Sequence, residues 1–310
     1  MQTKRVRSWK KARSEAVAAY GFLLPNFLGF LAFTSLPVLA SLLLAFTDWD
    51  ILTPLKWVGF ENFIKLLGCH KEAGHIVAND PLFWKYMGNT LYLMLGIPIG
   101  MGLSLVLALA MNQKLKGIVF FRTIYFLPTI ASGIALYMLW RWIYNPDFGL
   151  INTLLAKLGM DGPDWLSSTT WSKPALMIMG LWTSMGGYNM VLYLAGLQGI
   201  DPELYEAAGI DGANKWQKFW NITWPMLTPT TFFIFIMSMM GGFQGGFDSA
   251  YIMTGGGPAG STTTIMYYIY NNAFQWFKMG YAAAIAWVLF IIVFIVTLIN
   301  WKVGGKLVHY

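Results

Sequence analysis

The sequence predicts an all-α membrane protein with six transmembrane helices, and three observations carry that expectation. Hydrophobic residues make up 56% of the 310-residue chain and charged residues only 11%, where a soluble domain carries roughly 25% charged. Apolar stretches long enough to cross a bilayer recur six times along the chain. Many of the 15 tryptophans stand near the ends of those stretches, where interfacial aromatic belts form.

The first span is expected over residues 20–46. It is too long for a signal-peptide core and lacks a convincing cleavage site. Its Pro25 and Pro37 are tolerable because neighbouring helices can satisfy freed backbone groups. Residues 48–85 read as a polar loop with turn signals at Thr53-Pro54 and Asp80-Pro81. The second span follows over 86–111 and the third over 123–143, whose FLPTIAS segment (Phe126 to Ser132) carries a proline expected to kink the helix. The fourth is expected over 175–197, the fifth over 226–247 and the sixth over 281–301. Between the last two, TGGGPAGSTTT reads as a flexible turn, and the aromatic stretch after it as a short interfacial helix. The domain reading is a basic tail (1–19), a membrane domain (20–301) and a short tail (302–310).

Charge sets the orientation. The net charge of +7 is concentrated in Lys4, Arg5, Arg7, Lys10, Lys11 and Arg13, beside the first span. Loops on the side of the termini hold 13 of the 21 Lys and Arg, including Lys114, Lys116 and Arg122 after the second span. The positive-inside rule then places both termini in the cytoplasm. The single Cys69 excludes an intrachain disulfide, and His70, His75 and His309 form no metal-ligand pattern. Every charged residue falls in a tail, in a loop or within a residue or two of a span end. An ion-coupled carrier places ionisable groups near the midplane, so a self-powered transporter is disfavoured. The glycine run Gly255 to Ser261 lacks the Gly-Lys-Ser/Thr ending of a phosphate-binding loop. No HExxH or Ser/His/Asp arrangement appears. The chain is therefore expected to be no enzyme, and its energy to come from another subunit.

Asp201–Pro225, DPELYEAAGIDGANKWQKFWNITWP, is the stretch that explains how. Asp201 is a good N-cap, Pro202 suits the first helical position and Glu203 the first turn. Gly209 and Gly212 allow a sharp turn. A second short helix is expected from Ala213 to Thr223, ending at Pro225. The loop holds four acids against two bases and lies on the cytoplasmic side, which suits a basic partner.

Its spacing resembles the EAA loop of ABC importer permeases: EAA, three residues, Gly, nine residues, Ile-x-Leu-Pro. Glu206, Ala207, Ala208, Gly212, Ile222 and Pro225 fall in register, and Trp224 replaces the Leu. WVGFENF (Trp57 to Phe63), FRTIYFLPTIAS (Phe121 to Ser132), LAGLQGIDPELYEAAGIDGA (Leu194 to Ala213), MTGGGPAGSTTT (Met253 to Thr264) and IYNNAFQWFKMGYAAAIAW (Ile269 to Trp287) resemble the carbohydrate-uptake branch of that family, of the maltose-porter first-permease type. The resemblance implies a type I importer fold in a bacterial or archaeal cell (inner) membrane. It also implies a second, homologous permease subunit, two ATP-binding subunits that carry ATP and Mg²⁺, and an extracytoplasmic sugar-binding protein. This chain itself would hold no cofactor, metal or nucleic acid.

Within that resemblance Glu206 would make charge-assisted hydrogen bonds to an Arg or Lys of the ATPase. Ala207 and Ala208 would permit close approach, and Gly212 would set the bend. A sugar route needs stacking faces and hydrogen-bonding groups, and the candidates are Trp182, Tyr188, Asn189, Gln244 and Phe247, with Gly186, Gly187, Gly245 and Gly246 opening space for a ring. Two other readings remain open: a permease of the same family for glycerol phosphate or a polyol ester, which should want a basic residue facing the pathway, and a scaffold or channel subunit that uses the loop only for assembly.

Overall fold

A computed structural model describes residues 2–72, 75–113 and 116–304. The side chains of Lys4, Arg5, Arg7 and Lys10, the whole of Lys114, and the last tail residues with His309 lie outside what is described. In chain order the helices are α1 (Gln2–Phe30), α2 (Leu36–Leu44), α3 (Glu61–Leu67), α4 (Pro81–Met94), α5 (Gly96–Met111), α6 (Ile118–Ile130), α7 (Gly133–Ile143), α8 (Leu150–Lys157), α9 (Ser172–Met185), α10 (Tyr188–Gln198), α11 (Pro202–Ile210), α12 (Lys215–Lys218), α13 (Trp224–Gln244), α14 (Phe247–Ser249), α15 (Ile265–Tyr270) and α16 (Met279–Gly304). The mostly helical expectation holds. The loop after the first span adds what it did not foresee: two small antiparallel hairpins, β1 (Thr47–Asp48) with β2 (Lys56–Trp57) and β3 (Cys69–Glu72) with β4 (His75–Ala78).

Among the described residues four stretches are long and apolar enough to cross a membrane: Lys11–Leu44, Pro81–Met111, Lys215–Gln244 and Met279–Lys302. A fifth qualifies if α6 and α7, which meet at 99°, count as one broken span. The single kinked third helix is thus corrected. Pro128 lies inside α6, and the chain breaks three residues later, where Ala131 and Ser132 are extended. The fourth expected span is also interrupted, at Gly186 and Gly187 between α9 and α10.

The chain divides into two compact units, residues up to Gly68 with Asn272–Trp287, and Cys69–Asn271 with the chain from Val288 onward. In the first, Asn62 is buried and its Nδ2 donates to the carbonyls of Ala45 (3.0 Å) and Thr47 (2.9 Å), fixing the end of α2 and the first hairpin to α3. Trp287 Nε1 donates to Ser41 Oγ at 3.2 Å.

In the second unit α5, α10 and α13 share a core of Met101, Leu105, Ala108, Tyr193, Leu197, Leu227 and Ile234. Gly196 lets α10 and α13 approach closely, since a Cβ there would meet Leu227 and Thr230 at 2.9 Å. A second core joins Trp140, Tyr144, Trp165, Leu176, Met253 and Tyr267.

The Gly255–Thr264 segment departs from the flexible turn expected of it. Ser261, Thr262, Thr263 and Thr264 are all buried. Asn89 Nδ2 donates to the carbonyls of Gly260 and Thr263, each at 2.9 Å, and Lys85 Nζ to that of Ala259 at 2.6 Å. Thr90 Oγ1 accepts from the Ile265 N–H at 3.0 Å, and Ser172 and Ser261 share a hydroxyl bond of 2.9 Å. Side chains from α4 satisfy backbone groups of this glycine-rich segment, and Ser172 of α9 pairs its buried Ser261 hydroxyl. Asn89→Ala would strand the buried Thr263 carbonyl and the half-buried Gly260 carbonyl and should cost about 1–3 kcal/mol. Asn221→Ala, which removes an exposed bond to Gln217, should stay within about 0.5 kcal/mol. Denaturant unfolding of the two purified variants checks the difference.

Candidate functional site

Two places in the second unit gather the residues that sequence singled out. The first is a cavity of about 660 Å³ walled by α5, α6, α7, α9, α10 and α13. Its polar groups include Thr129, Tyr137, Thr183, Ser184, Asn189 and Ser238, and among the described residues that line it none carries a charge. Thr183 and Ser184 spend their hydroxyl protons on backbone carbonyls of α9, at 2.9 and 3.1 Å from Gly180 and Leu181, leaving lone pairs free to accept. Thr129 Oγ1 is buried and has no hydrogen-bond partner. Such a wall is chemically suited to an uncharged, hydroxyl-bearing solute rather than to an ion.

The two interruptions build this wall. Gly186 lies against the Tyr125 carbonyl of α6 so closely that any Cβ would collide with it. A Cβ on Gly187 would meet Thr129 Oγ1 at 3.1 Å. Broken helix therefore packs on broken helix, backbone to backbone, and Asn189 starts α10 in the cavity wall.

Of the five pathway candidates only Asn189 lines the cavity. Trp182 packs edge-on against Trp140, with ring centroids 5.6 Å apart, and the exposed Tyr188 edge-on against Phe126 at 5.7 Å. Gln244 is exposed at the end of α13. Phe247 joins an aromatic cluster with Tyr251, Tyr267 and Tyr270 at 4.9–5.5 Å. Burial, with the Tyr251 and Tyr270 phenols beside it, holds the Tyr267 phenol above its ordinary 10.0, so it stays neutral. Gly186 admits a neighbouring backbone and Gly187 the Thr129 side chain rather than a ring, whereas Gly246 does line the cavity. Sequence reasoning missed Thr129, Ser184 and Ser238. The signal for Thr129 was present in the FLPTIAS segment, read only as a kink.

The second place is the loop after α10. Asp201 caps α11, accepting from the Glu203 N–H at 2.9 Å. The helix closes with the Ala213 N–H donating to the Ala208 carbonyl at 2.9 Å, across Gly212 at φ +77°. That left-handed residue is the bend, and a side chain there would strain it. Glu206 and Ala207 are exposed, Ala208 is half-buried, and Ile210 is 88% exposed. Asn214 and Gln217 form a capping box that starts α12. The helix does not end at Pro225 as expected. A π turn at Phe219–Thr223 carries it into α13, with the Trp224 N–H reaching the Phe219 carbonyl. The wide turn sits just ahead of Pro225, where a ring without an N–H disrupts α-helical pairing. Ile222 packs against the α5–α10–α13 core. Lys218 Nζ donates to the Tyr205 carbonyl at 2.8 Å, and Tyr205 and Thr223 share a hydroxyl bond of 2.9 Å, so the two arms of the loop are braced together.

The geometry defines a helical subunit with membrane-crossing stretches, an uncharged cavity among its helices and an exposed, braced loop after α10. The chain belongs to the family of binding-protein-dependent transport system inner membrane components, which matches residues 96–301. It is 38% identical to the probable ABC transporter permease protein YesP of Bacillus subtilis (strain 168), over 97% of this chain and 96% of that protein. It is 32% identical to the arabinooligosaccharides transport system permease protein AraP of the same organism, over 94% and 90%. Among solved structures it superposes on a chain of a bacterial ABC transporter that imports the acidic polysaccharide alginate, with a TM-score of 0.82, 26% identity and coverage of 97% and 99%. A second structure of a bacterial alginate transporter, in complex with an alginate pentasaccharide-bound periplasmic protein, matches with a TM-score of 0.80, 25% identity and coverage of 94% and 95%.

Gly186→Ala should sharply lower the yield of folded protein, because the collision is with backbone that cannot rotate away. Gly102→Ala, where nothing lies within 4 Å, should be neutral or stabilising by up to about 1 kcal/mol. Size-exclusion profiles of the detergent-solubilised variants test both.

Proposed function

We propose that this chain is one of two permease subunits of an ATP-driven, binding-protein-dependent importer, that its cargo is a sugar, specifically an oligosaccharide, and that Asp201–Pro225 is the loop on which the ATPase acts. The observation that carries the reading is the placement of α10. Its first turn holds Asn189 in the cavity wall, and its last residue, Gln198, stands three residues before Asp201. Cavity and docking loop are thus joined by one helix of 11 residues, about 16 Å long.

The oligosaccharide assignment draws on the relatives: AraP is named for arabinooligosaccharides, and the alginate transporter has been seen with a saccharide-loaded periplasmic protein. The uncharged cavity wall agrees with it and speaks against a glycerol phosphate. On this reading the four continuous spans, the α6–α7 pair and the α9–α10 pair make six crossings. Residues 20–301 form the permease domain, and the tails 1–19 and 302–310 lie in the cytoplasm, as the excess of Lys and Arg favours. A second permease completes the pathway, two ATPase subunits hold ATP and Mg²⁺, and an extracytoplasmic protein delivers the sugar. Glu206, Ala207, Ala208 and Gly212 form the docking surface, while Ile222 and Pro225 root it in α13. Trp182, Tyr188, Gln244 and Phe247 then face the second permease or the mouth of the pathway, with Asn189 inside.

When the tagged chain is purified from its native membrane in mild detergent, an ATPase and a second permease should accompany it. Glu206→Arg should reduce the recovered ATPase at least about tenfold, by turning an attractive charge contact into a repulsive one. The second permease should be retained. Absence of any ATPase with the unaltered chain would remove the importer reading, and full retention by the variant would remove Glu206 from the contact.

A further inference from the structure

The two arms of the loop differ in charge and in what they expose. α11 and its flanks carry Asp201, Glu203, Glu206 and Asp211, whereas the arm from Lys215 to Trp224 carries Lys215 and Lys218 and no acid. That second arm also presents an aromatic ladder. Trp216, Trp220 and Trp224 recur every four residues, with successive ring centroids 5.6 and 6.1 Å apart. The π turn at Phe219–Thr223 widens the helix and keeps this spacing on one face. Trp224 packs against the core, but Trp216 is 68% exposed and Trp220 47%. Among the described residues, neither of those two indole N–H groups has an acceptor in the chain.

The length of the helix says what meets that face. Lys215–Gln244 runs for 30 residues, about 45 Å at 1.5 Å per residue. A hydrocarbon core is about 30 Å thick, so roughly ten residues extend beyond it. The ladder occupies the first ten, with polar Lys215, Gln217 and Asn221 interspersed. Tryptophan prefers that depth, its ring among lipid headgroups and its N–H hydrated.

We infer that the Trp216–Trp220 face is a lipid-contact surface, seated in the headgroup layer of an anionic cytoplasmic leaflet, while acidic α11 is held off in water. Among the described residues Lys215 forms no ion pair and is the cation available to that layer, since Lys218 is committed to the Tyr205 carbonyl. The loop then works as a lever whose fulcrum is the membrane surface. The brace of Lys218 and Thr223 to Tyr205 passes motion of α11 into α13. The inference rests on the proposed cytoplasmic, ATPase-facing position of the loop.

Spin labels report both. In a Cys69→Ser background, which removes the exposed native thiol, Trp216→Cys, Trp220→Cys and Glu206→Cys are labelled in the assembled importer. The importer is held in nanodiscs of phosphatidylethanolamine and phosphatidylglycerol. Power saturation compares accessibility to oxygen, which partitions into lipid, with accessibility to water-soluble Ni-EDDA. At 216 and 220 the oxygen-to-nickel ratio should exceed that of water-exposed loop label Asp161→Cys at least about threefold. It should not change when the ATPase is stripped. A ratio at both sites equal to that of Asp161→Cys overturns the inference. Labels shielded from both reagents until the ATPase is removed also overturn it, and assign the face to the ATPase. The Glu206→Cys label separates the two readings: it should be shielded only while the ATPase is bound, and shielding that is independent of the ATPase contradicts the docking loop itself.

Discussion

The contact on which the rest of this structure depends is backbone against backbone, where Gly186 meets the Tyr125 carbonyl. Glycine is the residue that permits it, because every other side chain begins with an atom in the space the carbonyl fills. On one side the contact is the break between α9 and α10 at Gly186–Gly187, and on the other it is the body of α6, six residues before that helix breaks from α7 at Ala131–Ser132. Interrupted helices leave peptide groups without intrahelical partners. Within a membrane such groups are tolerated only where they are buried in protein or line a polar cavity. The 660 Å³ space beside them, with Thr129, Ser184 and Asn189 in its wall, meets that requirement.

From this point the chain leads to the Asp201–Pro225 loop with little slack. α10 starts at the break, packs on α13 through Gly196 and delivers the chain to Asp201. α13 returns from the loop and contributes Ser238, Gly241 and Gly242 to the same cavity. The loop is thus the closed end of a helical hairpin whose open end forms the cavity. Its two arms are braced by Lys218 to Tyr205 and Tyr205 to Thr223. The arms are therefore joined by hydrogen-bonded side chains as well as by the chain itself.

Much of this was legible in the residues, and the parts that were not have physical reasons. Asp201, Pro202 and Gly212 act through local backbone rules, so the cap, the first turn and the bend appear where the sequence puts them. Long apolar runs are equally plain, and four of the spans emerge continuous. The failures concern positions whose role is set by a distant partner. Pro128 suggested a kink, but the break falls at Ala131–Ser132, and the α9–α10 break packs on Tyr125 and Thr129 just before it. Pro225 suggested a stop, but a π turn absorbs the missing N–H. Gly255–Thr264 read as a solvated turn, because nothing local reveals that Asn89, Lys85 and Thr90 wait on another helix to satisfy it. In the same way aromatic residues were favoured as a sugar route, and the structure assigned Trp182 and Phe247 to aromatic packing while Thr129 and Ser184 joined the residues of the cavity wall.

The central claim is that the cavity at the broken helices and the loop at Asp201–Pro225 are two ends of one moving part. The most direct measurement is the rate at which a small hydrophilic thiol reagent modifies Thr129→Cys, in a Cys69→Ser background, in the reconstituted importer with and without trapped ATP. The account predicts that the rate, and the side of the membrane from which the reagent arrives, change with nucleotide state, and that Glu206→Arg abolishes the change. The same rate from the same side in both states, with the ATPase bound and cycling, would contradict it.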